Sequence, residues 1–389
     1  MNTVQTGNPQ LIELIRSRIA DDGPVSFAWF MEQALYHPQH GYYSSGRAKI
    51  GRSGDYFTNV SVGPVFGRLL AAQVAEIWQQ LGEPREFTLV EQGAHHGTLA
   101  RDILAALSKD SRNCLDAMRY WIVEPFDTLR QQQARTLAGF DKHVRWFDSL
   151  DALEPFVGLH LSNELLDAMP VHLVRRTNTA KGWSERHVTW INDQFAFMDQ
   201  PVTDPRVQRF LREHPDYEAA TEIEVNLGAL DWLDTVSQKL RTGYALTIDY
   251  GYVDDGTANK ADAGTVQCRA GHQMIASPFS EIGNCDITAH VNWTMLARHA
   301  QRTHLQIVGF TDQHHFLTGI ITHDPALVNA AAPAARRQLQ TLLHPEMMGR
   351  SFQVLALGRG INRELNLSGF QFARPVHQQL GIAGVTTRS

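Results

Sequence analysis

One segment, running from Glu86 to Leu104, constrains the fold of this chain more than any other. Its apolar start at 87–91 predicts a strand, the residues from Gly93 to Gly97 predict a tight loop, and the residues that follow predict a helix. A loop between a parallel strand and its helix lies at the carboxyl edge of the sheet, where free N–H groups attract carboxylate or phosphate. The segment therefore predicts a nucleotide-type cofactor site.

Apolar runs alternate with helical stretches on both sides of this segment. Strand-like runs lie at 87–91, 120–124, 144–147, 158–162, 244–249, 304–310 and 352–357, and helical stretches lie at 63–80, 98–108 and 126–138. Short apolar strands separated by helices are typical of βαβ units, which place parallel strands in one sheet. The predicted fold class is therefore α/β, with a Rossmann-like sheet.

The rhythm changes after Pro170, where strand-like runs follow one another directly. The runs at 171–175, 184–191 and 194–198 predict an inserted antiparallel sheet. The remaining expectations are helical structure over 9–36 with Ser26 as an N-cap, helices over 218–240 and 286–300, and a long loop over 251–278.

These patterns predict three parts of the chain. They are an N-terminal helical cap with an aromatic and glycine-rich loop at 1–82, a cofactor-binding domain at 83–360 with insertions at about 171–200 and 251–285, and a loosely ordered tail at 361–389.

Composition excludes several classes of protein. The 389 residues carry 35 Lys and Arg against 41 Asp and Glu, a net charge of −6, which gives no electrostatic footprint for nucleic acid. No apolar run approaches the roughly 20 residues of a transmembrane helix. The three dispersed cysteines and the N-terminal sequence, which resembles no signal or transit peptide, favour a cytoplasmic protein. The 18 histidines include no HExxH motif, so no metal site is expected.

The spacing of the glycine loop distinguishes two cofactors. Dinucleotide folds have G-x-G-x-x-G and an acid about 20 residues further on. Here no third glycine follows at that spacing, and the next acid at a strand end, Glu124, lies 27 residues beyond Gly97. Glu91, directly before the loop, offers a carboxylate to a cationic amino group. The pattern favours S-adenosylmethionine (SAM) over a nicotinamide cofactor, with an ordinary strand–turn–helix as the alternative.

Four further segments occur in a definite order along the chain. They are Gly41-Tyr-Tyr with Ile50-Gly-Arg-Ser-Gly-Asp-Tyr-Phe-Thr58, Ser162-Asn-Glu-Leu-Leu-Asp-Ala-Met-Pro170, Leu246-Thr-Ile-Asp-Tyr-Gly251 with Gly264-Thr265 and His272, and Asp286-Ile-Thr-Ala-His-Val-Asn-Trp293. With the glycine loop, they resemble the motifs of the MidA family of SAM-dependent methyltransferases from about Pro24 to Leu357.

This resemblance implies a fold and an activity. The implied fold is that of class I methyltransferases, with an N-terminal helical cap and insertions. The family includes mitochondrial methyltransferases that assist complex I assembly, and the implied activity of one member is symmetric dimethylation of an arginine on a complex I subunit. The expected partner is therefore a protein substrate, with a respiratory complex I subunit as one candidate, or a small molecule.

One position departs from the family's loop, which usually reads E-x-G-x-G-x-G-T-L. Here the loop is Glu91-Gln-Gly-Ala-His-His-Gly-Thr-Leu99, so His95 stands where the middle glycine is expected. A histidine must either avoid φ > 0 or bear the strain of that conformation. The alternative to an active enzyme is thus a catalytically weak or inactive assembly or binding protein on the same fold.

Acidic side chains at strand ends are the candidates for catalysis. Asn163 and Glu164 directly follow the fourth strand, and Asp167 comes one short turn later. An arginine acceptor cannot be deprotonated beforehand, so carboxylates would bind and orient its guanidinium. Glu164 and Asp167 are the residues predicted to do so, with a role in capping backbone N–H groups as the alternative.

The segment before residue 60 supplies the remaining candidates. Asp55 is predicted to line the same site, with an Asx turn as the alternative. Phe57 and Thr58 are predicted to close over the cofactor, and Asn163 to contribute to its binding.

Overall fold

The computed structural model describes residues 6–46, 58–177, 182–214, 221–254, 264–271, 273–329, 332–362 and 366–382. The chain folds into two compact units. We call the first the Rossmann-like unit, which comprises 58–166, 232–255 and 291–389. The accessory unit comprises 1–57, 167–231 and 256–290.

The described helices are α1 (Pro9–Asp22), α2 (Phe27–Tyr36), α3 (Asn59–Val62), α4 (Val65–Gln80), α5 (Thr98–Asp110), α6 (Arg112–Ala117), α7 (Asp127–Thr136), α8 (Pro205–Glu213), α9 (Leu227–Lys239), α10 (Trp293–Ala300), α11 (Gln313–His323), α12 (Ala326–Asn329), α13 (Pro333–Leu343) and α14 (Val376–Leu380). The described strands are β1 (Val25–Ser26), β2 (Phe87–Gln92), β3 (Met118–Val123), β4 (Val144–Phe147), β5 (Phe156–Asn163), β6 (His172–Arg176), β7 (Trp183–Ile191), β8 (Gln194–Pro201), β9 (Glu222–Val225), β10 (Leu240–Tyr252), β11 (Gln267–Ala270), β12 (Gln273–Ile275), β13 (Asp286–Thr288), β14 (Val291–Asn292), β15 (Gln306–Asp312) and β16 (Phe352–Arg359).

The Rossmann-like unit is built on one mostly parallel sheet with the order β15-β16-β10-β5-β2-β3-β4. Strands β4, β3, β2, β5 and β10 run parallel, whereas β16 is antiparallel to both of its neighbours. Strand order reverses between β2 and β5, and in such sheets ligands bind outside the carboxyl ends of the strands at this reversal. The α/β class and the Rossmann-like sheet are confirmed.

Two glycines let the central strands approach closely. A Cβ added at Gly158 would lie 2.0 Å from the backbone oxygen of Thr88, and one added at Gly243 would lie 1.9 Å from the backbone oxygen of Gly158. Because no side chain fits in these gaps, glycine is required at both positions of β5 and β10.

The accessory unit contains the inserted antiparallel sheet, with the order β1-β7-β6-β9 and β8 paired to β7. Helices α1 and α2 bury Leu11, Ile15 and Phe30 in one apolar cluster with Leu173 and Val188 of this sheet. The N-terminal helices therefore share a core with the insertion, whereas the end of the predicted 1–82 part, including α4, belongs to the Rossmann-like unit. A second, three-stranded sheet has the order β12-β11-β13.

The structure corrects several local predictions. Residues 286–300 form β13, β14 and only then α10, whose N-cap is Asn292, because its Oδ1 accepts the Met295 N–H at 2.9 Å. Of the predicted helix over 218–240, residues 218–220 lie outside the described residues; from 221 onward β9 comes first, because its residues pair with β6, and α9 follows. The predicted loop at 251–278 includes β11 and β12.

Other local predictions are confirmed or refined. Ser26 caps α2, since its Oγ accepts the Trp29 N–H at 3.2 Å. Residues 366–382, within the predicted tail, include the short helix α14 and bury Leu367, Phe370 and Leu380. None of the helices in the described ranges is both long enough and apolar enough to cross a bilayer.

Candidate active site

The glycine loop follows β2 at the reversal of strand order. Gly93 and Gly97 adopt left-handed backbone conformations, with φ of +80° and +76°. Gly97 is the N-cap of α5, and a Cβ added to it would lie 3.3 Å from the Cα of Gln133 on α7. Glycine at both positions therefore allows the turn and brings the loop against α7, which leaves the N-terminus of α5 at the carboxyl edge of the sheet.

His95 also adopts a left-handed conformation, with φ of +46°. This is the conformation for which glycine is preferred, and a larger residue bears it at a cost on the order of 1 kcal/mol. Its ring stacks on that of His96 with the ring centroids 3.7 Å apart, and its carbonyl accepts a hydrogen bond from Gln133 Nε2 at 2.8 Å. The loop thus keeps a glycine-like backbone despite the histidine.

Glu124 is buried immediately after β3. Its carboxylate accepts hydrogen bonds from the Phe126 N–H at 3.1 Å and from Gln133 Nε2 at 3.0 Å. Burial raises the pKa of this carboxyl to about 7, although the two hydrogen bonds and nearby Arg130 oppose the shift. A carboxylate at this strand end is placed to accept hydrogen bonds from ribose hydroxyls.

Gln133, which sequence reasoning missed, connects these parts. Its amide nitrogen donates to the His95 carbonyl and to Glu124, while its amide oxygen accepts the Trp146 Nε1–H at 2.8 Å. The side chain is fully buried. One signal was available, because Gln133 follows buried Leu129 by four residues and so places an amide on the apolar face of a helix.

Glu91 is buried near the end of β2 and bonds to the neighbouring strand. Its carboxylate accepts the Tyr120 hydroxyl at 2.7 Å. Burial raises the pKa of Glu91 to about 7, and the Tyr120 hydrogen bond opposes the shift. The side chain therefore supports β2 and β3 directly beneath the loop.

The end of β5 places Asn163 and Glu164 at the other side of the reversal. Asn163 Nδ2 donates to Glu164 Oε1 at 2.9 Å, and Asn163 Oδ1 accepts from Asn59 Nδ2 at 3.4 Å. Glu164 is left-handed, with φ of +53°, and its N–H donates to the Ile248 carbonyl at 2.9 Å. A strained non-glycine residue held at a strand end is typical of functional sites.

Asp249, at the end of the neighbouring strand β10, fixes the turn that follows Glu164. One carboxylate oxygen accepts the N–H groups of Leu165 at 3.1 Å and Leu166 at 2.8 Å, and the other accepts the Tyr250 N–H at 2.8 Å. Asp249 is fully buried. Its role is therefore to position the turn.

Buried polar atoms around this edge suit a polar ligand. Within the described ranges, Gln92 Oε1, His96 Nε2 and Asn59 Oδ1 are buried without a hydrogen-bonding partner. Buried polar groups are normally satisfied, so three such atoms beside the loop and the end of β5 indicate a ligand with donors and acceptors. The amino acid and nucleoside parts of SAM provide both.

The other predicted residues lie in different places. Thr58 caps α3, where its Oγ1 accepts the Ser61 N–H at 3.1 Å. Asp167 is buried in the accessory unit, and its carbonyl accepts the Ala289 N–H at 2.8 Å. Asp55 and Phe57 lie outside the described residues. Within the part of the chain that is described, no group of three or more His, Cys, Asp or Glu side chains could hold a metal ion.

A family model of S-adenosyl-L-methionine-dependent methyltransferases matches residues 69–311, which is more than half of the chain. The chain belongs to this family. A COG1565 superfamily member from Burkholderia thailandensis, solved with bound S-adenosyl-homocysteine, is 31% identical and aligns with a TM-score of 0.84 over 97% of this chain and 100% of its own.

Two curated relatives are similar over most of their length. The human mitochondrial protein arginine methyltransferase NDUFAF7 is 29% identical, over 95% of this chain and 87% of its own. Its mouse counterpart is 30% identical, over 87% of this chain and 82% of its own. The chain is a SAM-dependent methyltransferase, and SAM, as predicted, is its cofactor.

For this methyltransferase, replacing Gln133 with leucine should weaken S-adenosylhomocysteine binding about tenfold. Leucine is similar in size but cannot donate a hydrogen bond to the His95 carbonyl or to the Glu124 carboxylate. Isothermal titration calorimetry measures the change. Gln131→Leu, two residues earlier and exposed, is the matched control and should bind as wild type does. Equal affinities for both variants would contradict the role of Gln133.

Replacing His95 with glycine in this methyltransferase should change S-adenosylhomocysteine affinity by no more than about threefold. The backbone of His95 is already left-handed, so glycine would adopt the same loop. Its greater freedom in the unfolded chain offsets the relieved strain, and the free energy of unfolding should change by less than about 1 kcal/mol. A gain in affinity of tenfold or more by calorimetry would instead show that the histidine obstructs the cofactor.

Proposed function

We propose that this methyltransferase transfers the methyl group of SAM to a guanidinium nitrogen of a protein arginine. The observation that carries the proposal is the conformation of Glu164 at the end of β5. Its backbone is left-handed, its N–H donates to the Ile248 carbonyl, and its carboxylate accepts a hydrogen bond from Asn163. An acid fixed beside the reversal of strand order supports binding of a cationic acceptor at this edge.

The chemistry assigns separate tasks to the residues. When bound, SAM supplies an electrophilic methyl group on a sulfonium. The Glu164 carboxylate accepts N–H groups of the guanidinium and orients one nitrogen for in-line attack. As the new N–C bond forms, the bond between the methyl carbon and sulfur would break, its electron pair would stay on sulfur as a neutral thioether, and the nitrogen would give up one proton to solvent. Asp167, three residues later, is proposed to bind the same guanidinium. Asp55 is proposed to line the same site, and this proposal rests on its position in the sequence alone.

The cofactor residues are proposed in the same way. The backbone of Gly93, His95 and Gly97 receives the amino acid part of the cofactor, and Glu124 accepts the ribose hydroxyls. The other proposed cofactor residues are Glu91, Asn163, Thr58 and Phe57.

The relatives support an arginine acceptor, since both curated proteins are named protein arginine methyltransferases. The resemblance noted above makes a respiratory complex I subunit one candidate substrate. The relatives' names place them in mitochondria, so the cytoplasmic location remains a proposal, to be checked by cell fractionation. The inactive alternative rested on His95, whose backbone keeps the glycine-like conformation.

Incubation of the protein with cell lysate and isotopically labelled SAM tests the proposal, with mass spectrometry locating the label. We expect labelled methyl groups on arginine side chains. Glu164→Gln should lower the turnover number at least about tenfold with little change in S-adenosylhomocysteine affinity, because the amide loses the charge that binds the guanidinium. Glu154→Gln, at an exposed acid of the same unit, is the control. Label found only on other residue types or on small molecules would overturn the arginine assignment.

A further inference from the structure

A fully buried asparagine lies beside the end of β5. Asn59, the first residue of α3, has no exposed surface. Its Nδ2 donates to Asn163 Oδ1 at 3.4 Å, whereas its Oδ1 has no hydrogen-bonding partner within the described ranges. Both residues belong to the Rossmann-like unit, and Asn163 is the last residue of β5. Buried polar atoms are normally satisfied, so this oxygen marks a place where a ligand donates a hydrogen bond.

The neighbouring carboxylate determines which atom of the Asn59 amide is unpaired. A carboxylate oxygen only accepts hydrogen bonds, so the group that Asn163 directs at Glu164 Oε1, 2.9 Å away, is its NH₂. The Asn163 oxygen therefore faces Asn59, which must present its own NH₂ to that oxygen. The remaining atom of the Asn59 amide is an oxygen, and it requires a donor from the ligand.

The start of α3 holds this asparagine in place. Thr58 Oγ1 accepts the Ser61 N–H at 3.1 Å, and Ser61 Oγ accepts the Thr58 N–H at 2.9 Å. The two bonds form a capping box that encloses the backbone of Asn59. Because the backbone is fixed before the ligand binds, the side chain loses little conformational freedom on binding.

A second unpaired acceptor lies at the neighbouring strand end. Gln92 is the last residue of β2, and it pairs with Ser162, the residue before Asn163. Its Oε1 is buried and has no hydrogen-bonding partner in the part of the chain that is described. Two acceptors at adjacent strand ends suit a ligand group that carries several N–H donors, and an ammonium group carries three.

We propose that Asn59 Oδ1 accepts a hydrogen bond from the α-ammonium group of SAM, an inference that rests on the cofactor placement in the proposed function. The strand order β5-β2-β3 puts Asn163, the partner of Asn59, on the other side of β2 from Glu124. Glu124 is assigned to the ribose and the glycine loop to the amino acid part. The cofactor donor on the β5 side of the loop is then the ammonium group, and Asn59 is a cofactor-binding residue.

Isothermal titration calorimetry of the full-length protein with two ligands tests the inference without requiring methyl transfer. The ligands are S-adenosylhomocysteine and its deamino analogue, in which hydrogen replaces the α-amino group. Asn59→Leu should weaken S-adenosylhomocysteine binding at least about tenfold and should not weaken binding of the deamino analogue. An equal loss for both ligands, or no loss for either, would overturn the inference. Failure of the arginine assignment would appear separately, as absence of labelled arginine in the lysate experiment.

Further variants separate ligand binding from structure. Asn113→Leu, at an exposed position of α6 in the same unit, is the matched control and should bind both ligands as wild type does. Asn59→Ala removes the amide without adding a branched side chain, and it should show the same ligand-specific loss as leucine. Without ligand, the unfolding midpoint of Asn59→Leu should equal or exceed that of wild type, because an unpaired buried oxygen is removed. A marked fall in that midpoint, with an equal loss for both ligands, would show a structural role instead.

Discussion

Replacing Glu124 with glutamine is expected to weaken S-adenosylhomocysteine binding at least about 100-fold, which corresponds to about 2.7 kcal/mol. The carboxylate is buried after β3 and is the acid that we propose accepts the ribose hydroxyls. Glutamine keeps the shape but loses the charge, and because its NH₂ group cannot accept, only one of the hydrogen bonds donated by Phe126 and Gln133 keeps its acceptor. Calorimetry at fixed pH and ionic strength measures the loss.

The pH dependence of the same affinity provides a second readout. Burial raises the pKa of Glu124 to about 7, so the carboxylate that we propose accepts the ribose hydroxyls forms as pH rises through 7. Affinity in wild type should therefore increase from pH 6 to pH 8. Glu91, whose pKa is also about 7 and which remains in the variant, gives the background slope measured with Glu124→Gln.

The same raised pKa predicts that the protein without ligand becomes less stable as pH rises, whereas its affinity for the cofactor increases. The folded state disfavours the charged carboxyl, so stability conferred by the protonated form is lost as pH rises from the ordinary glutamate pKa of about 4.5 toward 7.

Exposed Asp127→Asn, three residues beyond Glu124, is the control for both measurements and should leave affinity unchanged. An affinity of Glu124→Gln within threefold of wild type would remove Glu124 from the proposed site.

Replacing Asp249 with alanine should lower the free energy of unfolding by about 4 kcal/mol. The fully buried carboxylate accepts three backbone N–H groups, those of Leu165, Leu166 and Tyr250, and alanine leaves them without their acceptor. The turn after Glu164 should loosen as well, so methyl transfer should fall even where the protein remains folded. Urea unfolding measures the first effect, and turnover at low temperature measures the second.

Two further variants make the Asp249 result specific. Asp249→Asn retains one oxygen acceptor and should lose less stability than alanine does. Asp116→Ala removes an exposed ion pair with Arg112 and should cost less than about 0.5 kcal/mol. If Asp249→Ala unfolded at the same urea concentration as Asp116→Ala, the three backbone bonds would not stabilise the fold.

The sequence was sufficient for features that depend on local chemistry. The strand before Gly93, the left-handed turns and the acid at Glu124 all follow from residues close together in the chain, and the structure places them at one edge of the sheet. Parallel strands bring their carboxyl ends together, so local predictions combined into a site.

Features that depend on distant partners were not predictable in this way. Gln133 is 38 residues from His95, and Asp249 is 83 residues from Leu166, so neither contact leaves a local pattern. Strand β9 lies within the range predicted as helix, and only its pairing with β6 makes these four residues a strand. Tertiary pairing overrides propensity in short segments.

The hydrogen bond from Gln133 to the His95 carbonyl has an evolutionary consequence. Gln133 donates to the backbone carbonyl of residue 95. This hydrogen bond does not depend on which side chain residue 95 carries. Substitution at position 95 is therefore limited chiefly by whether the new residue tolerates a left-handed backbone. Glycine, asparagine, aspartate and histidine adopt this conformation more readily than other residues do. A departure from a glycine motif at such a position is compatible with a working cofactor loop, whereas the supporting glutamine is the position where a substitution would be costly.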